Sequence, residues 1–204
     1  MPGITFSRIG VLGGTFDPPH IGHLWLAETA QQQLGLEIVL FCPVGDPPHK
    51  RGRPISPLNN RIEMVQLAIA EDIGFQLDRT DSERPPPHTT CSLMPLLQAR
   101  YPHSQLWLLI GSDGLRDLPT WYEPACILQH CRLGVLPRPG VQLNWKALLR
   151  EVPALEGRVD LLAGPTVDIS ATEIRAWIGD GRSVRYLLPP KVSAYIAGRD
   201  LYTN

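Results

Sequence analysis

The 204-residue sequence lacks a long apolar run, a closely spaced cysteine pair and an excess of charge of either sign. Its formal net charge is −1, so no overall field attracts the chain to nucleic acid or to an anionic membrane. Its four cysteines include no CxxC pair and do not indicate a secreted disulfide scaffold. The N-terminal run Ile9–Leu12 is too short to direct export or to span a membrane. We therefore expect a cytoplasmic protein that binds neither nucleic acid nor membrane.

Short apolar runs alternate with helical patterns along the chain. The runs are rich in Val, Ile and Leu and are typical of strands buried on both faces of a parallel sheet. They are Arg8–Leu12, Glu37–Cys42, Gly74–Leu77, Leu106–Ile110, Arg132–Leu136 and Arg158–Leu162. The predicted helices are His23–Leu34, Leu58–Ala70, Thr89–Arg100 and Ser170–Ile178. This alternation predicts an α/β protein with a doubly wound parallel sheet, which we interpret as a single domain over residues 1–204.

The 21 prolines are unevenly distributed and concentrate in Pro43–Pro57 and Pro85–Pro87. Both stretches follow predicted strands. In open α/β sheets, the loops beyond the carboxyl ends of the strands carry the ligand. We interpret these two loops as walls of a binding site, although they could equally be rigid connectors.

The segment from Gly13 to His23, GGTFDPPHIGH, follows a predicted strand and opens a predicted helix. Gly13 and Gly14 let the backbone approach a ligand closely. His20 and His23 lie on the same side of one helical turn, and the helix start adds unpaired N–H groups. The segment therefore predicts a polyphosphate site with two imidazoles that face a solvent-filled cleft. A zinc site would need a third nearby ligand, and the segment matches neither GxGxxG nor a Walker loop.

This segment resembles the HxGH signature of a nucleotidyltransferase superfamily. Its longer form, with Pro18-Pro19 and then Ala27-Glu28, is similar to that of the bacterial nicotinate-mononucleotide adenylyltransferases. The resemblance implies a Rossmann-like sheet and direct in-line adenylyl transfer from ATP, with Mg²⁺ bound to the phosphates. It implies catalytic roles for His20 and His23, and ATP contacts for Gly13, Gly14, Thr15, Phe16, His20 and His23.

A second motif, ISATEIR from Ile169 to Arg175, follows the last predicted strand. Ser170 suits a helix N-cap and Glu173 would complete a capping box, which by itself explains the motif as a well-made helix start. The motif also resembles the second phosphate motif of the same family, ISxTxxR. The resemblance implies that Ser170, Thr172 and Arg175 hold the β- and γ-phosphates of ATP, with Arg175 catalytic. This motif falls in the C-terminal part of the domain, about residues 165–204.

Further segments match the family's motifs for the mononucleotide. The resemblance implies a phosphate contact for Lys50 in PPHK, a ribose contact for Asp113 in GSD and stacking of Trp121 on the pyridine ring. It also implies mononucleotide contacts for Asp17, His88, Thr89 and Tyr122. A surface lysine, a helix-capping aspartate and a buried tryptophan are the plainer explanations of the first three.

One region departs from the family pattern. Pro87-His88-Thr89 stands where Ser-Tyr-Thr is usual, and Cys91 stands where an aspartate is usual. How the nicotinate end is held is therefore open, and a dual specificity for the acid and the amide is an alternative. Pantetheine-phosphate adenylyltransferase and a non-catalytic nucleotide-binding module are further alternatives. We expect small-molecule substrates and no metal site built from protein ligands, and the oligomeric state stays unknown.

Overall fold

The computed structural model describes residues 6–46 and 55–203. Within them, six parallel strands form one sheet in the order β3-β2-β1-β4-β5-β6. The strands are β1 Arg8–Gly14, β2 Ile38–Pro43, β3 Phe75–Leu77, β4 Gln105–Gly111, β5 Arg132–Leu136 and β6 Val159–Leu161. Each overlaps a strand predicted from the apolar runs, so the predicted doubly wound α/β fold is confirmed.

Nine helices cover the two faces of the sheet in the described part of the chain. They are α1 Ile21–Leu34, α2 Leu58–Ile69, α3 Thr80–Glu83, α4 Thr90–Arg100, α5 Ser112–Asp117, α6 Pro124–His130, α7 Trp145–Glu151, α8 Ala171–Gly179 and α9 Pro190–Gly198. The four predicted helices correspond to α1, α2, α4 and α8. The other five were not predicted, and they have nine residues or fewer. No described helix is long and apolar enough to cross a membrane.

Side chains of the four central strands, β2, β1, β4 and β5, alternate between two apolar clusters, one on each face of the sheet. On β1, Val11 packs with residues of α4 and α6, whereas Leu12 packs with residues of α1, α2, α8 and α9. On β4, Leu108 belongs to the same cluster as Val11, and Leu109 belongs to the same cluster as Leu12. The runs are apolar at consecutive positions because both faces are covered, as expected for a parallel sheet.

The direction of winding reverses between β1 and β4. The chain runs outward from β1 through β2 to β3 and then returns to β4 on the other side of β1. At such a switch point the loops after neighbouring strands diverge and leave a crevice at the carboxyl edge of the sheet. The segment that follows Gly14 and the segment that follows Gly111 therefore border the crevice.

Candidate active site

A cavity of about 760 Å³ lies at this carboxyl edge, on the sheet face covered by α4 and α6. One side of it is formed by Gly13, Gly14 and Thr15 at the end of β1. The other walls include four residues predicted to contact the mononucleotide, namely His88, Thr89, Trp121 and Tyr122. The structure thus brings together residues from three separate parts of the sequence.

The His88 imidazole is almost completely buried against the loop after β2. A Cβ atom on Gly45 would come within 2.6 Å of His88 Cε1, so only glycine leaves room for this ring. His88 Nδ1 lies 3.9 Å from Asp81 Oδ2 and makes no hydrogen bond within the described residues. His88 therefore has a polar atom inside the cavity wall with an acid beside it.

Asp81 also lines this cavity, and Arg84 is bound to it. Arg84 Nε donates to Asp81 Oδ1 at 2.8 Å, and Arg84 Nη1 donates to the Pro87 carbonyl at 2.6 Å. Burial raises the pKa of Asp81, while Arg84 and then His88 oppose that rise. Arg84 thus fixes the loop that carries His88 and offsets the charge of the acid beside it.

Thr89 is the N-cap of α4. Its Oγ1 accepts the N–H of Ser92 at 3.3 Å, and its own N–H donates to Ser92 Oγ at 3.3 Å. This reciprocal cap satisfies two of the unpaired groups at the helix start. The Thr89 amide is therefore already engaged, whereas Thr90, the next residue of the helix start, also lines the cavity.

Trp121 combines the two roles that the sequence left open. The indole is half-buried against the apolar cluster below α4 and α6, and it also lines the cavity. Tyr122, which is 62% exposed, lies at the same wall. Stacking of a flat ring against Trp121 is thus compatible with its packing in the core.

The two histidines lie on the other face of the sheet, at the start of α1. Their ring centroids are 3.8 Å apart, and the His20 N–H donates to His23 Nδ1 at 3.1 Å. In a neutral imidazole, a hydrogen bond accepted at Nδ1 places the ring proton on Nε2. His23 is therefore prepared to donate from Nε2.

The prediction that both imidazoles face solvent was wrong for His20, which is only 5% exposed. Its ring packs over Gly22, where a Cβ atom would lie 3.1 Å from the His20 Nδ1 and Cε1 atoms. Burial and, to a smaller extent, the positive charge of Arg138 lower the pKa of His20 to about 4. His20 is thus neutral at physiological pH.

The side chains of Phe16 and Asp17 do not reach the cavity, since each is only 2% exposed. The centroid of the Phe16 ring lies 5.0 Å from the centroid of the His23 ring, so the two rings pack edge to face and Phe16 supports the position of His23. The Asp17 carboxylate accepts hydrogen bonds from the Tyr202 hydroxyl at 2.6 Å and from the Ser56 N–H at 3.3 Å. Both side chains thus hold the loop in place, and their ligand contacts stay predictions.

The second motif forms the start of α8, beside the histidine loop. Ser170 Oγ accepts the Glu173 N–H at 3.2 Å and donates to Glu173 Oε2 at 2.6 Å. In the predicted capping box the Glu173 carboxylate would accept the Ser170 amide. Here it accepts the Ser170 hydroxyl instead. Arg175 Nη1 donates to the Asp17 carbonyl at 2.7 Å, so the arginine connects the two motifs.

Arg138 connects the end of β4 to the second motif. Its Nη1 donates to Asp113 Oδ2 at 2.7 Å, and its Nη2 donates to the Ile169 carbonyl at 2.8 Å. Asp113, predicted to contact ribose, is paired with this arginine and is not among the described residues that line the cavity. Arg138 supplies a positive charge next to His20 and Ile169, a role that sequence reasoning did not assign.

Comparison with known proteins agrees with this geometry. The cytidylyltransferase-like family model matches residues 11–177. The protein named "Probable nicotinate-nucleotide adenylyltransferase" of Thermomicrobium roseum is 44% identical, over 96% of this chain and 92% of its own. The protein of the same name from Herpetosiphon aurantiacus is 40% identical, over 96% and 98%. This chain belongs to the cytidylyltransferase-like family, among its nicotinate-nucleotide adenylyltransferases.

Solved structures show the same fold at much lower identity. Plasmodium falciparum nicotinic acid mononucleotide adenylyltransferase, complexed with NaAD, superposes with a TM-score of 0.80 at 17% identity, covering 96% of this chain and 97% of that one. The same enzyme complexed with APC gives a TM-score of 0.77 at 16% identity, with the same coverage. The Rossmann-like fold expected from the resemblance is thus confirmed.

A buried arginine that sequence reasoning missed organises the site of this family member. Arg61 of α2 is 2% exposed. It donates to the carbonyls of Ser56 at 3.2 Å, Thr15 at 2.9 Å, Val44 at 2.8 Å and Gly45 at 3.0 Å. Burial lowers the pKa of Arg61, while the nearby Asp17 and Tyr202 raise it. The signal in the sequence was a charge on the apolar side of α2, three and four residues before Met64 and Val65.

Arg61 therefore joins the loop after β1 to the loop after β2. The carbonyls that it binds come from both segments that border the cavity, so one side chain sets their separation. Lys50, the predicted phosphate contact in the second of these loops, lies outside the described residues.

Proposed function

We propose that the chain transfers the adenylyl group of ATP to nicotinate mononucleotide, giving nicotinate adenine dinucleotide and pyrophosphate. The observation that carries the proposal is that the crevice is divided into two parts, each lined by its own set of side chains. A cavity lined by Trp121 lies on one face of the sheet, and a cluster of basic side chains that includes His23 and Arg175 lies on the other. The end of β1, at Gly13 and Gly14, separates them.

ATP occupies the half formed by the starts of α1 and α8. Gly13, Gly14 and Thr15 contact its phosphates through the backbone, and a Cβ on Gly13 would meet no atom within 4 Å, so the approach is open there. The helix starts offer N–H groups to the phosphates, and the remaining contacts come from side chains. Those side chains are His20, His23, Ser170, Thr172 and Arg175.

The mononucleotide occupies the cavity, with its pyridine ring against Trp121 and its 5′-phosphate near Thr15. One oxygen of that phosphate attacks the α-phosphorus of ATP, a new P–O bond forms, and the bond from the α-phosphorus to the bridging oxygen breaks. Pyrophosphate leaves with the electron pair. The attacking phosphate is ionised at neutral pH, so no general base is required and the protein positions the groups and stabilises charge.

The charge that develops on the phosphoryl oxygens is stabilised by donors of different kinds. His23 donates from Nε2, because its Nδ1 already accepts the His20 amide. His20 stays neutral and acts through its ring and its backbone rather than as a cation. Arg175 is the permanent cation of the second motif, and Arg138 adds a positive charge beside His20. Such fixed donors are each worth about 10²–10³ in kcat in other enzymes.

In this proposal Mg²⁺ binds to the site together with the polyphosphate of ATP. Of the two aspartates predicted to lie in the site, Asp17 is buried and bound by Tyr202, and Asp113 is paired with Arg138. They do not form a carboxylate cage, so the residues fit an ion held chiefly by phosphate oxygens and water, as is usual for Mg²⁺ in phosphoryl-transfer sites. The ion would offset phosphate charge in the reaction.

The nicotinate carboxylate is held at the start of α4. The Thr90 N–H and hydroxyl are its donors, Thr89 lies beside them as the cap, and the positive end of the helix favours an anion over a neutral amide. Asp81 opposes this preference with its charge, but Arg84 binds and offsets it.

The compartment that suits this reaction is the cytoplasm. All four cysteines are free thiols, the usual state in a reducing compartment. ATP and the mononucleotide are the partners that the proposal requires.

The test is a discontinuous assay that identifies both products. The purified chain is incubated with ATP, Mg²⁺ and one of nicotinate mononucleotide, nicotinamide mononucleotide or 4′-phosphopantetheine, and the dinucleotide and pyrophosphate are quantified by mass spectrometry and a coupled assay. We expect equal amounts of the two products with nicotinate mononucleotide, and loss of both in His23→Ala. ATP binding without product from any acceptor would contradict the proposal.

A further inference from the structure

Two thiols and a carboxylate meet at the junction of α4 and α6, at the cavity wall. The ligand atoms of Cys91, Glu123 and Cys126 all lie within 4.8 Å of one another. Cys91 Sγ is 3.5 Å from Glu123 Oε2, and Cys126 Sγ is 3.6 Å from the Cys91 carbonyl oxygen. These groups take no part in the adenylyl transfer proposed above.

We propose that Cys91, Glu123 and Cys126 form a binding site for one thiophilic divalent cation of the zinc type. Two thiolates and one carboxylate are a ligand set that Zn²⁺ accepts, with a fourth position left for water or another ligand. For a tetrahedral ion with Zn–S of about 2.3 Å and Zn–O of about 2.0 Å, the sulfur–oxygen edge is about 3.5 Å. The Cys91–Glu123 pair already has this spacing.

The thiolate is the form of cysteine that binds zinc, so each thiol releases its proton to solvent as it binds the metal. Because protons compete with the metal for the thiolates, binding should weaken as the pH falls.

A metal ion at this place would stabilise the mononucleotide half of the crevice. Cys91 lies in the first turn of α4, two residues after the cap Thr89, whereas Glu123 and Cys126 belong to the segment that follows Trp121. Thr89, Trp121 and Glu123 line the cavity. One ion would thus cross-link two walls that are separated along the chain by the rest of α4, β4, the short helix α5 and the 3-10 turn Leu118–Thr120.

Sequence reasoning predicted no protein-built metal site, and the pattern explains why. The thiols are separated by 35 residues, and no CxxC pair marks them. Glu123 precedes Cys126 by three residues, a spacing that is common at any helix start. Only the packing of α4 against α6 brings the three ligands together.

The experiment measures the metal directly and does not depend on activity. The full chain is stripped with a chelator, kept reduced with a phosphine, and titrated with Co²⁺ while the thiolate-to-cobalt charge-transfer absorption is recorded. Zn²⁺ is then added as competitor. We expect one Co²⁺ per chain, displacement by Zn²⁺ but not by excess Mg²⁺, and a higher Tm with Zn²⁺.

Cys126→Ser and Glu123→Gln should each weaken Co²⁺ binding by more than about 100-fold, since even residues that only orient metal ligands are worth about 10–100-fold. Cys131→Ser is the matched control, a buried cysteine outside the cluster that should leave binding unchanged. Circular dichroism checks that each variant is folded. The proposal is overturned if the reduced wild type gives no charge-transfer band, if folded Cys126→Ser binds like wild type, or if the two thiols join in a disulfide that the phosphine does not reduce.

Discussion

The buried, neutral state of His20 has a measurable consequence for stability at mildly acid pH. In the folded chain its pKa is lowered from 6.5 to about 4, whereas in the unfolded chain it has its ordinary value. The unfolded state therefore binds more protons below pH 6.5, so this contribution to stability is present at pH 7 and is lost as the pH falls from 6.5 toward 4. The linkage relation gives a loss of about 2 kcal/mol between pH 7 and pH 5.

The assay is urea unfolding of wild type and His20→Asn at both pH values. Asparagine is a favoured N-cap residue and does not titrate, so the variant removes the proton linkage while it preserves the helix start. The substitution changes no other titratable group. Between pH 7 and pH 5 we therefore expect the free energy of unfolding of the wild type to fall by about 2 kcal/mol more than that of the variant. His103→Asn, at an exposed histidine, should behave like wild type. Equal losses in wild type and His20→Asn would refute the reasoning.

Four further outcomes follow from the site. His23→Ala should lower kcat by about 10²–10³, and near wild-type turnover would remove it from the mechanism. Ser170→Ala should cost about 0.5–2 kcal/mol in urea unfolding through the lost cap, whereas Arg175→Ala should mainly raise KM for ATP and lower kcat; the opposite pattern would make Arg175 structural. Arg61→Met should lower the free energy of unfolding by about 3–5 kcal/mol because it leaves the carbonyls of Thr15, Val44 and Gly45 without their buried charged donor, and a loss below about 1 kcal/mol would contradict that role. With ATP chiral at the α-phosphorus, in-line transfer should invert the configuration, and retention would indicate a covalent intermediate.

Most of the sheet could be predicted from the sequence because its physical cause is local. Strands covered on both faces must be apolar at consecutive positions, as in β2 and β4, and such runs are visible without any structure. The short helices could not be predicted in this way. In α5 and α6 few residues repeat at helical spacing, and Pro124 and Gly114 obscure the pattern.

The candidate site was predictable where a residue acts through its own neighbours in the sequence. His23 and Ser170 belong to compact motifs, and both lie at the helix starts that the motifs predicted. The burial of His20, by contrast, depends on packing over Gly22 and on Arg138, which is distant in sequence. Arg61 acts on carbonyls of two other loops, so its role became visible only in three dimensions.

The most direct test of the central claim is the ratio of kcat/KM for nicotinate mononucleotide to that for nicotinamide mononucleotide, measured with saturating ATP at pH 7.5. Charge-assisted hydrogen bonds at the start of α4 predict a preference for the acid of about tenfold to several hundredfold. Near-equal values for the two mononucleotides would contradict the account and identify a dual-specificity enzyme.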